Sequence, residues 1–121
     1  MKKTLSISSL IIIICFVFGT TNLKAQTTSA KTEIFKVYGN CEMCQDRIEG
    51  ALKKKDGIVK KSWSESTKML TVTFDSDKLS LIQIKQKIAD AGYDSDDIQA
   101  TDDAYHNLPK CCQYKRAKTT K

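Results

Sequence analysis

The chain has 121 residues, one domain's worth with room for a small core. Its formal net charge of +6 overstates the basicity of the mature protein, because Lys2, Lys3 and Lys24 fall in a leader segment. That balance nominates no nucleic-acid partner.

Residues 1–25 read as a secretory signal peptide, with a basic start at Met1-Lys2-Lys3, an apolar stretch from Leu10 to Phe18, and a small residue, Ala25, at the expected cleavage point. The apolar stretch is shorter than the roughly 20 residues a membrane span needs, so no stable membrane anchor is expected. Export to the periplasm or beyond the cell follows, and Cys15 leaves with the signal. Residues 26–31 form a polar, flexible leader.

Glu33 to Tyr38 has the β-branched and aromatic content of a strand, broken by Gly39-Asn40. Helical spacing follows: Cys44, Ile48, Ala51 and Leu52 make one apolar stripe, which predicts a helix over Glu42 to Lys55 with Gly57 beyond its end. Ile58 to Ser64 and Lys68 to Phe74 predict a hairpin turning at Glu65-Ser66-Thr67; Val59 and Trp63 share a face in its first strand, Leu70, Val72 and Phe74 share one in its second, and the sheet has one apolar and one mostly polar face. Ser80 caps a second helix whose stripe is Leu81, Ile84, Ile88 and Ala91, ending at Gly92. A last edge strand is expected near Ile98-Gln99-Ala100. This order predicts an α+β, ferredoxin-like βαββαβ open-faced sandwich with both helices on one face of an antiparallel sheet. The domain spans residues 32–101, and residues 102–121 form a C-terminal extension with a Cys-Cys pair and a basic tail.

Four of the five cysteines lie beyond the leader: Cys41, Cys44, Cys111 and Cys112. In an oxidising compartment this even count permits disulfides in three pairings. Cys41 falls in the loop leaving the first strand and Cys44 in the first turn of the helix, where unpaired N–H groups and the helix dipole favour thiolate. Two such thiolates suit a soft ion of low coordination number, Cu(I) first, with Hg(II), Cd(II) or Ag(I) as candidates and Zn(II) needing further ligands. The same pair in a thiol–disulfide redox protein is the alternative function, and a local disulfide or a half-buried core position is the structural one. No Ser-His-Asp or Cys-His arrangement points to an enzyme.

The segments Phe35-Lys36-Val37-Tyr38-Gly39, Cys41-Glu42-Met43-Cys44, Asp56-Gly57-Ile58, Val72-Thr73-Phe74-Asp75 and Ala91-Gly92-Tyr93-Asp94 resemble the heavy-metal-associated domain family. That family includes copper chaperones, N-terminal modules of copper-pumping ATPases and the periplasmic mercuric-ion-binding protein. The resemblance implies carriage of one soft ion by Cys41 and Cys44 and its transfer to a metal-transporting membrane ATPase or another metal-binding protein. It also implies that Tyr93 lies near the site. The family pattern Gly-Met-Thr-Cys-x-x-Cys carries a methionine beneath the metal loop; Gly39-Asn40-Cys41 is one residue shorter and lacks it, while Met43 sits between the cysteines.

Thr101 to Leu108 predicts a short helix capped by Thr101 and ended by Pro109. The last strand should finish opposite the metal loop, so Cys111 and Cys112 must return to reach Cys41; extended, the ten intervening residues reach roughly 33 Å. Cys111 and Cys112 are therefore candidate further ligands, or disulfide partners of Cys41 and Cys44, with an interchain disulfide or an independent thiol site as alternatives. The Asp-rich stretch Asp94 to Asp103 lacks the spacing of a calcium loop and reads as a solvated or partner-facing face. The basic tail reads as a solvated terminus, His106 as a surface residue, and Trp63, Phe74 and Tyr105 as core or interface residues.

Overall fold

The computed structural model describes residues 29–117. The expected signal peptide, Cys15 and residues 26–28 of the polar leader lie outside the described residues, while Ala30 and Lys31 open the first strand instead of extending the leader. Strands β1 (Ala30–Lys36), β2 (Ile58–Trp63) and β3 (Met69–Asp75) form an antiparallel sheet in the order β1-β3-β2. Helices α1 (Glu42–Gly50) and α2 (Leu81–Asp90) supply the second layer, and a short α3 (Asp102–His106) follows. No helix among the described residues is long and apolar enough to cross a membrane.

One core joins the layers. Phe35, Leu70, Val72 and Phe74 point inward from the sheet, Ile48 and Leu52 from α1, and Ile84 and Ile88 from α2. Ser80 caps α2 through a capping box: its hydroxyl accepts from Gln83 N at 3.2 Å, while Gln83 Oε1 accepts from Ser80 N at 2.9 Å. Thr101 caps α3 by accepting from Ala104 N. These local signals produce the expected elements.

Four expectations need correction. The first helix stops at Gly50 rather than Lys55, and the chain tightens into a 3-10 turn over Lys54–Asp56 closed by Gly57 at φ +110°. Gly50 is a weak helix former, and Lys61 Nζ donates to the Leu52 carbonyl freed by the early end. Val59 does not share a face with Trp63. A bulge between Ile58 and Lys60 turns Ile58 inward opposite Phe74 and leaves Val59 exposed.

The expected edge strand near Ile98-Gln99-Ala100 is reduced to one antiparallel bridge, Val37 to Ser95. The segment satisfies itself: Asp94 Oδ1 accepts from Ala100 N at 2.8 Å, and Ser95 N donates to the Ile98 carbonyl at 2.8 Å. Groups engaged in that loop are lost to a ladder.

The acidic stretch and the basic tail are not two independent solvated surfaces. Asp94 is buried and grips Arg116, which also reaches Asp102 at 2.7 Å, while Asp96 and Asp97 accept from the buried Lys85. Leu108, Cys112 and Tyr114 join the main core, so residues 102–117 are packed against the domain instead of hanging from it. Gly92, at φ +102°, permits this packing, because a Cβ there would lie 2.7 Å from the Ala104 carbonyl oxygen.

Candidate metal centre

Cys41 occupies the N-cap of α1 in an extended conformation, and its carbonyl accepts from Cys44 N at 2.9 Å and Gln45 N at 3.2 Å. Its side chain makes no cap hydrogen bond to the helix. One turn on, Cys44 is fully buried and its sulfur accepts the Asn40 N–H at 3.3 Å. The two sulfurs lie 3.5 Å apart. Burial pushes the Cys44 thiol up, but the backbone N–H groups of Asn40 and Cys41, with the neighbouring Cys41 and Cys112 thiols, outweigh it and bring it below the ordinary thiol value.

The floor of this loop is Trp63. A Cβ on Gly39 would stand 2.9 Å from the Trp63 ring and 3.2 Å from Cys44 Cβ, so only glycine lets the loop lie on the indole. The ring is fixed by Nε1 donating to the Val37 carbonyl at 3.0 Å, and the Trp63 backbone N–H donates to Glu49 Oε1 at 2.9 Å. An indole thus sits beneath the loop that lacks the family's methionine. The sequence marks Trp63 as a core residue; its place under the metal loop depends on a strand pairing that no local pattern reveals.

The tail does return. After Pro109 a 3-10 turn, Lys110–Cys112, brings Cys111 over the loop, where its carbonyl accepts from Asn40 Nδ2 at 3.3 Å and from the Cys41 thiol at 3.6 Å. The sulfurs of Cys41, Cys111 and Cys112 all lie within 4.8 Å of one another. Cys111 Sγ is also 3.6 Å from Met43 Sδ and 3.9 Å from Cys112 Sγ. The four cysteines among the described residues are free thiols. His106 is exposed and stands outside this group.

Tyr93 closes the site from below. It is fully buried, stacks on Tyr114 with ring centroids 5.8 Å apart, and its hydroxyl has no hydrogen-bond partner. Burial raises its pKa, and the Cys112 and Cys44 thiols beside it add to the shift. Burial likewise pushes the Cys112 thiol up to about 12, and the Cys44 and Cys111 thiols beside it add to the shift. The resulting donor set is thiols with one thioether, which suits soft ions and offers nothing to a hard cation.

A sequence profile of the heavy-metal-associated domain matches residues 35–94. The mercuric transport protein periplasmic component of Shewanella putrefaciens is 33% identical over 93 residues, covering 77% of this chain and 94% of that protein. The copper chaperone CopZ of Staphylococcus saprophyticus is 38% identical over 64 residues, 52% of this chain and 94% of its own. A zinc-transporting ATPase of Synechocystis is 38% identical over 69 residues, 56% of this chain but only 10% of the ATPase. Among solved structures, oxidized MerP from Ralstonia metallidurans superposes with a TM-score of 0.51 at 33% identity, covering 55% of this chain and 93% of that one. A CopZ metallochaperone gives 0.51 at 32% identity, covering 54% and 98%.

Proposed function

The chain belongs to the heavy-metal-associated domain family, and on that premise we propose that it is an exported carrier of one soft metal ion. Cys41 and Cys44 take the ion as thiolates and pass it on by ligand exchange. The observation that carries this reading is the convergence of the two sulfurs, 3.5 Å apart, at the N-terminus of α1. There the Asn40 N–H stabilises the Cys44 thiolate, and the half-buried Cys41 remains reachable from outside.

Cu(I) is the favoured cargo and Hg(II) the next, each supported by a relative whose name records that metal. Cd(II), Ag(I) and Zn(II) are weaker candidates. Export is supported by the signal-like residues 1–25 and by the likeness to a periplasmic component over 93 residues. The receiver is a metal-transporting membrane ATPase or another thiolate-rich protein, a reading supported by the likeness to one segment of such an ATPase. Transfer by ligand exchange breaks no covalent bond of a substrate, so the protein is a carrier and not an enzyme.

Anaerobic titration of the reduced full chain with Cu(I) against a competing chelator tests the reading. Tight one-to-one binding that is lost in the Cys41→Ser/Cys44→Ser variant is expected. Absence of binding, or binding indifferent to that variant, would overturn it.

A further inference from the structure

The described thiols fall into two groupings: the sulfurs of Cys41 and Cys44 lie 3.5 Å apart, and those of Cys111 and Cys112 lie 3.9 Å apart. Soft ions take up to four thiolates, so one ion can draw on both groupings. Cys41 belongs to both groupings, since its sulfur lies within 4.8 Å of those of Cys111 and Cys112.

Resting on the carrier reading above, we propose that Cys111 and Cys112 are themselves ligands. The ion is then enclosed by three or more thiolates drawn from Cys41, Cys44, Cys111 and Cys112 rather than held by an open pair. Each thiol that binds gives its proton to solvent, and no sulfur is oxidised.

Three further features bear on this closure. The tail is anchored on both sides of its cysteines: Leu108 is buried before them and Tyr114 after them. The Tyr114 hydroxyl accepts from Asp94 N at 2.8 Å and donates to the Gly92 carbonyl at 3.0 Å. The fully buried Tyr93 hydroxyl, unpartnered and adjacent to Cys112 and Cys44, is a donor waiting for an acceptor. A metal-bound thiolate supplies one, because bound sulfur retains negative charge and accepts hydrogen bonds. Finally, Cys111 is the exposed member of the set, with Met43 Sδ beside it. The exposed side is the side from which a partner's thiolates can displace a ligand, so the tail governs release.

The consequence is a preference for soft ions that accept three or four thiolates and a slower hand-over than an open pair allows. Copper K-edge X-ray absorption on the reduced full chain with one equivalent of Cu(I), paired with chelator competition, tests it. Three or more sulfur scatterers are expected in the wild type. One fewer is expected in Cys111→Ser, and two fewer in Cys111→Ser/Cys112→Ser, with affinity falling by more than the roughly 10–100-fold that loss of an outer-shell partner costs. Because Cys112 is buried, the exposed Cys111→Ser variant carries the result if the double variant unfolds by circular dichroism. Two scatterers in the wild type, or a sulfur number and affinity unchanged in Cys111→Ser, would overturn the closed site; retention of the Cys41→Ser/Cys44→Ser defect would then leave the carrier reading standing. A wild type that takes up no Cu(I) would remove both.

Discussion

The Arg116 guanidinium meets the Asp94 carboxylate through two parallel hydrogen bonds, Nε to Oδ2 and Nη2 to Oδ1, each 2.8 Å long. Asp94 is nearly inaccessible and also accepts from Ala100 N. Arg116 adds bonds to the Ala100 carbonyl and Asp102 and lies over the Tyr105 ring at 5.0 Å. A residue from the basic tail therefore locks the loop after α2 to the segment that delivers Cys111 and Cys112.

Arg116→Ala should lower stability by roughly 3–5 kcal/mol, because it strands a buried carboxylate. A solvated terminal residue would cost no more than about 0.5 kcal/mol. Urea denaturation separates these outcomes. An Arg116→Ala/Asp94→Asn double variant should lose less than the sum of the two singles, since the stranded charge is then absent.

Two glycines should respond to alanine in opposite directions. Gly92→Ala places a Cβ at positive φ and 2.7 Å from a backbone oxygen that cannot swing aside, so a loss of about 2–4 kcal/mol is expected. Gly50 ends α1 with nothing within 4 Å of its added Cβ; Gly50→Ala should stabilise by up to about 1 kcal/mol. Thermal melts of both variants check the pair.

Trp63→Phe removes the donor to the buried Val37 carbonyl. A cost of about 1–3 kcal/mol follows from leaving that oxygen unpaired. Because Gly39 rests on that ring and packs against Cys44, Cu(I) affinity should fall along with stability. A variant that loses stability but keeps full affinity would show that the indole does not support the loop.

The tail thiols should differ in reactivity. Cys111 is exposed, whereas Cys112 is buried with its thiol pushed up to about 12. At pH 8 the Cys112 thiol is therefore protonated as well as inaccessible. Iodoacetamide followed by peptide mass spectrometry should find Cys111 modified in the native protein and Cys112 modified only after denaturation. Equal labelling of the two would show that the tail does not dock.

Binding of Cu(I) should protect Cys111 in the same assay, and removal of the ion with a strong chelator should restore its reactivity. Protection confined to Cys41 and Cys44 would place the ion in the open pair.

Local chemistry in the sequence determined much of this protein. The apolar stripes Cys44-Ile48-Leu52 and Ile84-Ile88, the caps at Ser80 and Thr101, and the hairpin around Ser66 each depend on residues a few positions apart, so periodicity and capping suffice to read them. The same is true of Cys41 and Cys44, whose placement at a helix start follows from their spacing and the strand before them. The tertiary structure decided what depends on distant partners. Asp94, held by Arg116 from the far end of the chain, anchors a loop where the last strand was expected, and a bulge in the pairing of β2 with β3 turned Val59 outward. Trp63 became the floor of a loop some twenty residues earlier, and Arg116 reached back to Asp94 to bring Cys111 and Cys112 beside Cys41. Each of these turns on a contact whose two halves carry no mutual signal along the chain, because hydrogen-bond satisfaction and close packing are settled only when the layers meet.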